Sequence, residues 1–140
     1  MNFYHYFALL FVCVCFCGCG NGNQGLSGKV TFEDGSPLTV GVVCFENTET
    51  SKMARGEINS DGTYVVGFES GKNGIPKGTY KVFITGAILE KGMNEKTGTP
   101  IEEQQIALKY SSIITSGLTF TADGKMKRFD IIVDRPIRQR

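Results

Sequence analysis

The chain has 140 residues, 41% of them hydrophobic, and a formal net charge of +1 at pH 7, a balance that excludes a broad basic surface for nucleic acid. It holds a single histidine, His5, and no tryptophan. Beyond His5, His-based zinc sites, Ser-His-Asp triads and Cys-His pairs are therefore excluded.

The first predicted element is an export signal. From Phe3 to Phe16 nearly every residue is apolar, and no Asp, Glu, Lys or Arg precedes Cys19. An apolar run that ends in small residues reads as a targeting segment rather than a structural helix. The quartet Phe16-Cys17-Gly18-Cys19 resembles the lipobox of bacterial lipoproteins, in which a bulky apolar residue and two small ones precede the cysteine that receives lipid. That resemblance implies a signal peptide over 1–18, lipidation at Cys19, and attachment to a membrane through the lipid. Two other readings stay open, an ordinary secretory signal and an uncleaved anchor. A spanning helix needs about 20 apolar residues, and the run is shorter than that. In all of these readings the protein is exported or faces away from the cytoplasm.

The cysteine count then changes meaning. Cys13, Cys15 and Cys17 belong to the signal and Cys19 to the lipid, so only Cys44 remains and no internal disulfide is expected. The rest of the sequence is one domain's worth of chain, long enough to bury a core without staples. Residues 19–25 read as the lipidated cysteine and a polar linker. At about 3.4 Å per residue its Gly20–Gly25 stretch reaches roughly 20 Å. Gly20-x-Gly22-x-x-Gly25 matches the dinucleotide fingerprint only formally, because no strand precedes it and no helix comes after it.

From Leu26 onward the dominant period is two, which marks half-buried strands. The alternation predicts Leu26, Gly28, Val30 and Phe32 inward, then Val43 and Phe45 with Cys44 on the opposite face. Ala54, Gly56 and Ile58 come next, and beyond the hairpin signal Ser60-Asp61-Gly62 lie Tyr64, Val66 and Phe68. Tyr80, Val82 and Ile84 form the next set. The alternation also predicts a final pair around Asp123-Gly124, with Leu118 and Phe120 facing Phe129, Ile131 and Val133. Residues 89–115 form the one irregular region, a long loop with a helical turn or two between Pro100 and Tyr110. Residues 135–140 read as a solvated basic tail. Seven short strands with turns between them predict an all-β fold, a seven-stranded antiparallel β-sandwich.

Several of these segments together resemble a known family: Gly28-Lys29-Val30-Thr31-Phe32, Asp34-Gly35-Ser36-Pro37-Leu38, Val43-Cys44-Phe45, Ala54-Arg55-Gly56-Glu57-Ile58, Asp61-Gly62-Thr63-Tyr64 and Pro76-Lys77-Gly78-Thr79-Tyr80-Lys81-Val82. In this order they look like the carboxypeptidase regulatory-like domain, a transthyretin-like (prealbumin-like), Ig-like sandwich. The chain further resembles small planctomycete lipoproteins that carry one such domain, in which a Lys-Tyr pair like Lys109-Tyr110 precedes a Thr-Ser-Gly-Leu like Thr115-Ser116-Gly117-Leu118. The likeness covers most of 25–134 and implies a fold and an extracytoplasmic setting. In metallocarboxypeptidases the module holds none of the zinc ligands.

Candidate site residues are few. Asp34, Asp61 and Asp123 each precede glycine, and turn chemistry explains them better than calcium, which needs a denser ladder of oxygen ligands. Glu102 and Glu103 are adjacent, so on a strand they point to opposite faces rather than converge on a substrate. Cys44 has no histidine to activate it. Phe83 and Tyr110 are the two aromatics placed to contact a ligand such as a sugar ring, whereas Tyr64 and Tyr80 are expected to bury their rings and hydrogen-bond their hydroxyls at strand corners. The expectation is a non-catalytic module without metal or cofactor, anchored through Cys19. It would act as a structural or protein-interaction module of the cell envelope or, alternatively, as a binder of polysaccharide or peptidoglycan. Gly20 after the lipid site lacks the aspartate associated with inner-membrane retention, which favours the outer membrane or periplasmic face.

Overall fold

Alternating burial decides where the strands fall. The computed structural model describes residues 23–68 and 74–137, so the signal segment and Cys19 lie outside the described residues. The strands are β1 (Asn23–Gln24), β2 (Leu26–Phe32), β3 (Val42–Asn47), β4 (Met53–Glu57), β5 (Thr63–Val66), β6 (Ile75–Pro76), β7 (Gly78–Thr85), β8 (Ile88–Met93), β9 (Pro100–Gln104), β10 (Leu118–Ala122) and β11 (Ile131–Val133), with a 3-10 turn at Leu108–Ser111. A four-stranded sheet, β10-β7-β3-β4, faces a three-stranded sheet, β11-β2-β5. The fold is all-β and sandwich-like.

Most of the predicted inward residues form one core, while Phe68, Leu118 and Phe129 are only partly buried against it. Leu26, Val30, Phe32, Val43, Phe45, Ala54, Tyr64, Val66, Tyr80, Val82, Ile84, Phe120, Ile131 and Val133 are all buried in a single cluster. Phe45 sits at its centre, with ring centroids 6.0 Å from Phe120, 6.2 Å from Phe129 and 6.3 Å from Tyr64. The Phe120 and Phe129 rings meet it edge-on, the arrangement that the aromatic quadrupole favours. Rings from both sheets therefore lock the two layers together.

The two corner tyrosines behave as expected. Tyr80 Oη donates to the Pro76 carbonyl at 2.9 Å, and Tyr64 Oη donates to the Phe129 carbonyl across β2. Gly28 makes the second contact possible. A Cβ there would lie 1.8 Å from the Phe129 oxygen and 2.7 Å from the Tyr64 hydroxyl.

Three expectations are corrected. The last two strands do not pair with each other. β10 pairs antiparallel with β7, whereas β11 crosses the sandwich and pairs parallel with β2. Buried Gln24 is one of the residues that hold the crossing segment, together with Ser27, which bonds Lys127 and Phe129. Gln24 Oε1 accepts from Gly124 N and its Nε2 donates to the Met126 carbonyl, drawing the 123–127 loop toward the other sheet. The sandwich is thus mixed rather than wholly antiparallel. Secondly, Asn23–Gln24 is not free linker, because it pairs with Pro76 and Ile75. Thirdly, 89–115 is largely ordered. β8 and β9 form an exposed hairpin with a bulge between Glu90 and Met93, and the helical content is the single 3-10 turn.

The Ser60-Asp61-Gly62 hairpin is found, but it spans the two sheets. Arg55 and Gly67 exchange backbone bonds of 3.0 Å, while β5 departs to pair with β2. The sandwich therefore has a near end, holding Asn23, Gln24, Lys77 and Gly124, and a far end, holding the last residues of β2, β7 and β11.

Gly28→Ala is expected to destabilise the protein by about 1–3 kcal/mol or more, because the clash is with backbone. Gly25→Ala, where a Cβ meets nothing within 4 Å, should stay within about 0.5 kcal/mol. Urea unfolding of both variants checks this, and equal stabilities would remove the close approach as a constraint.

Candidate functional site

The far end of the sandwich brings together three segments that are distant in sequence. The turn after β2 is built by Asp34, whose Oδ1 accepts from Ser36 N at 2.9 Å and from the Ser36 hydroxyl. The segment after β11 places Arg135 over the Phe32 ring, 3.8 Å from its centroid. Its Nη2 lies 3.2 Å from Asp34 Oδ2 and 2.9 Å from Ser36 Oγ. Stacking and ion pairing act on the same planar guanidinium, a geometry that lysine cannot reproduce. Arg135 is thus not part of a free tail: it straps the end of β11 to the turn after β2.

The next residue back, Asp134, ties in the third segment. Its Oδ2 takes the Lys109 ammonium and, at 3.1 Å, the Tyr110 hydroxyl, while its backbone carbonyl accepts from Ala107 N at 2.9 Å. Phe32, Glu33, Asp34, Val133, Asp134 and Arg135 line a shallow cleft of about 470 Å³ beside this strap.

The charges are tuned by these contacts. The Ser36 hydroxyl, then the Ser36 amide and the Arg135 guanidinium, hold the Asp34 carboxyl down at about 2. Lys109, then Tyr110, lower Asp134 from the ordinary carboxylate value. The charged side chains of both pairs are largely open to solvent, so the pairs act as a local fastening rather than as a large contribution to stability.

From the same end projects the β8–β9 hairpin. Gln105 N donates to Ala87 O at 2.8 Å at its base, which buried Ala87 and Ile106 seat in the core. Beyond the base every side chain is exposed or half-exposed. Met93 is 66% exposed, and Ile88, Ile101, Leu108 and Ile114 are exposed too. Those are five of the nine large exposed hydrophobics among the described residues, a concentration on one end that scattered surface apolar residues do not show. Glu90 stands directly opposite Glu102, and Lys91 Nζ pairs with Glu103 at 2.9 Å.

The predicted site residues are not brought together. Tyr110 is only 7% exposed, with its hydroxyl committed to Asp134 and Lys109 Nζ lying 4.8 Å from its ring centroid. Phe83 is half-buried on the outer face of the four-stranded sheet, next to Cys44 in the pairing of β7 with β3. The two make no shared aromatic platform. Cys44 is 2% exposed, burial pushes its thiol up, and Thr85 Oγ1 lies 3.8 Å from its Sγ. The three aspartates cap their own turns: Asp61 Oδ1 accepts from Thr63 N at 2.9 Å, and Asp123 Oδ1 from Lys125 N at 2.8 Å and Met126 N at 3.1 Å. Among the described residues no group of His, Cys, Asp and Glu is arranged to hold a metal ion, and no helix is long and apolar enough to cross a membrane. Sequence reasoning missed the Phe32–Asp34–Arg135 strap. The signal available was an Asp-Arg pair directly after the last apolar strand.

No protein-family model and no curated protein matches this chain. Among solved structures it is similar to a 9R-lipoxygenase from Cyanothece PCC8801, at 13% sequence identity and a TM-score of 0.33. The match covers 83% of this chain but 16% of that one. A likeness this low carries no argument about fold or activity.

The strap gives a pH prediction. Asp34 is depressed below its ordinary 3.8, so its contribution is complete above that value and is lost as pH falls toward about 2. In carbon-detected NMR titrations Ser36→Ala should raise the Asp34 midpoint more than Arg135→Ala does, because the hydroxyl is the larger cause. A larger effect from the arginine would reverse the assignment.

Proposed function

We propose that the chain is an exported lipoprotein, anchored through lipid on Cys19, whose β-sandwich is a non-catalytic structural or protein-interaction module of the cell envelope. The observation that carries the interaction part is the far end, where the hairpin holds Met93, Ile101 and Ile88 in solvent on a base fixed into the core. An apolar hairpin held out by a rigid sandwich supplies both contact area and free strand edges to a protein partner.

The ordered motifs from Gly28 to Val82, together with two facing sheets, support a carboxypeptidase regulatory-like, transthyretin-like identity for the sandwich. The non-catalytic reading is supported by the absence of histidine after His5 and by the commitment of Asp34, Asp61 and Asp123 to turns. Burial of Tyr110 weighs against the polysaccharide reading, which needs a face of exposed rings. With Gly20 after the lipid site, the outer membrane is the favoured location.

Lipids bury about 0.8 kcal/mol per CH₂, and stable anchoring takes more than one chain, a requirement that the diacyl and N-acyl groups of a bacterial lipoprotein meet. Intact-mass analysis of membrane-extracted protein should show the acyl addition with residues 1–18 removed. Cys19→Ser should lose both the added mass and the membrane association. An unprocessed full-length mass would sink the anchor.

For the interaction surface, Met93→Asp combined with Ile101→Asp should abolish protein crosslinks in intact cells. The unfolding free energy should change by no more than about 0.5 kcal/mol, because both side chains are solvent-facing. Crosslinks that persist unchanged would move the contact elsewhere.

A further inference from the structure

We infer that the near end of the sandwich is a headgroup-contacting foot, which presses the 124–127 loop and Lys77 against an anionic lipid surface. The inference rests on the membrane-tether reading of the N-terminal segment, and it adds a second, electrostatic contact to that tether.

The geometry comes from Gln24. Its side-chain amide accepts from Gly124 N and donates to the Met126 carbonyl, and Ser27 N donates to the Lys127 carbonyl at 3.0 Å. The loop is thereby wrapped around the point where the chain joins the sandwich. Asp123 stiffens it by accepting from the Lys125 and Met126 amides. Residues 20–22 are all that separates Cys19 from Asn23 in sequence. At about 3.4 Å per residue that stretch of chain reaches roughly 14 Å at most. A lipid on Cys19, or the apolar run before it held in a bilayer, therefore keeps this end of the domain within reach of the headgroups.

The side chains match such a surface. Lys77, Lys125 and Lys127 are exposed, and Met126 is 53% exposed at the centre of the loop. The Lys77 side chain runs along the loop, with its Cε 3.0 Å from where a Cβ on Gly124 would lie. Within the loop and the residues bonded directly to it, the lysines are in excess. Arg128 is neutralised by Asp130 at 2.8 Å, and Asp130 also accepts from the Lys29 amide. Asp123 opens the loop as an exposed carboxylate that the Lys125 and Met126 amides keep ionised, so the three lysines outnumber it without cancelling it. Three lysines around one exposed methionine form the pattern of a peripheral lipid contact, with cations at the phosphates and one apolar side chain between them. Each lysine near an anionic surface is worth about fivefold in affinity, decaying within a Debye length of about 8–10 Å.

The chain has no tryptophan, so Met126→Trp supplies a single reporter at the centre of the foot. The full chain carrying it is reconstituted into phosphatidylcholine vesicles with and without phosphatidylglycerol. With phosphatidylglycerol present, the emission should shift to the blue and be quenched by brominated acyl chains. Lys125→Glu with Lys127→Glu should remove that response, as should high salt. A chain that floats with both vesicles but whose tryptophan ignores phosphatidylglycerol overturns the foot and leaves the tether standing. A chain that floats with neither overturns the tether, and the foot with it.

Discussion

The close approach at Gly28 is the constraint on which the rest of the sandwich depends. Three strands meet there: β2 supplies the missing side chain, β5 the Tyr64 hydroxyl and the approach to β11 the Phe129 carbonyl. Any side chain at Gly28 would hold the Phe129 carbonyl away from β2 and leave the Tyr64 hydroxyl buried without its acceptor. Burial, with help from the Asp130 carboxylate, raises the Tyr64 pKa, so the phenol remains a donor under all ordinary conditions. Phe129 also contributes its ring to the group around Phe45, so the same residue sets both the strand position and the packing of the layers.

The parts of the fold that were legible in the sequence are those decided by near neighbours. Leu26 to Phe32 and Tyr80 to Ile84 show their buried faces through simple alternation, because one side of each strand packs and the other meets water. The Asp-Gly turns are local for the same reason: Gly35, Gly62 and Gly124 adopt φ of 80°, 84° and 88° beside an aspartate that bonds the amide two residues on. The partner of β11 was not legible, since the bonds that bring it to β2, from Gln24 to Gly124 and from Ser27 to Lys127 and Phe129, join residues about a hundred positions apart. The β8–β9 hairpin was illegible for a different reason. With no buried face, Ile88-Leu89-Glu90-Lys91-Gly92-Met93 has no period to read.

The candidate site was less legible than the fold. An aromatic residue in a polar stretch looks available for binding, yet Tyr110 is consumed by the core and by Asp134. Arg135 opens a stretch that is basic in composition, yet it finds Phe32 and Asp34 across the sandwich. Composition reports what a side chain can do, whereas topology decides which of those capacities remain unused. Most of the large exposed apolar groups lie at the hairpin end, while Lys77, Lys125 and Lys127 surround Met126 where the chain joins the fold.

The parallel run of β2 and β11 has a mechanical consequence. Val30, Thr31 and Phe32 pair with Ile131, Ile132 and Val133, with both strands pointing from the near end to the far end. Asn23 therefore enters beneath the start of one strand, and Ile137 leaves beyond the finish of the other. A pull applied between these two points slides the strands along each other and loads their rungs together, whereas an antiparallel closing pair could be peeled open one rung at a time. The way this sandwich closes makes it a shear joint.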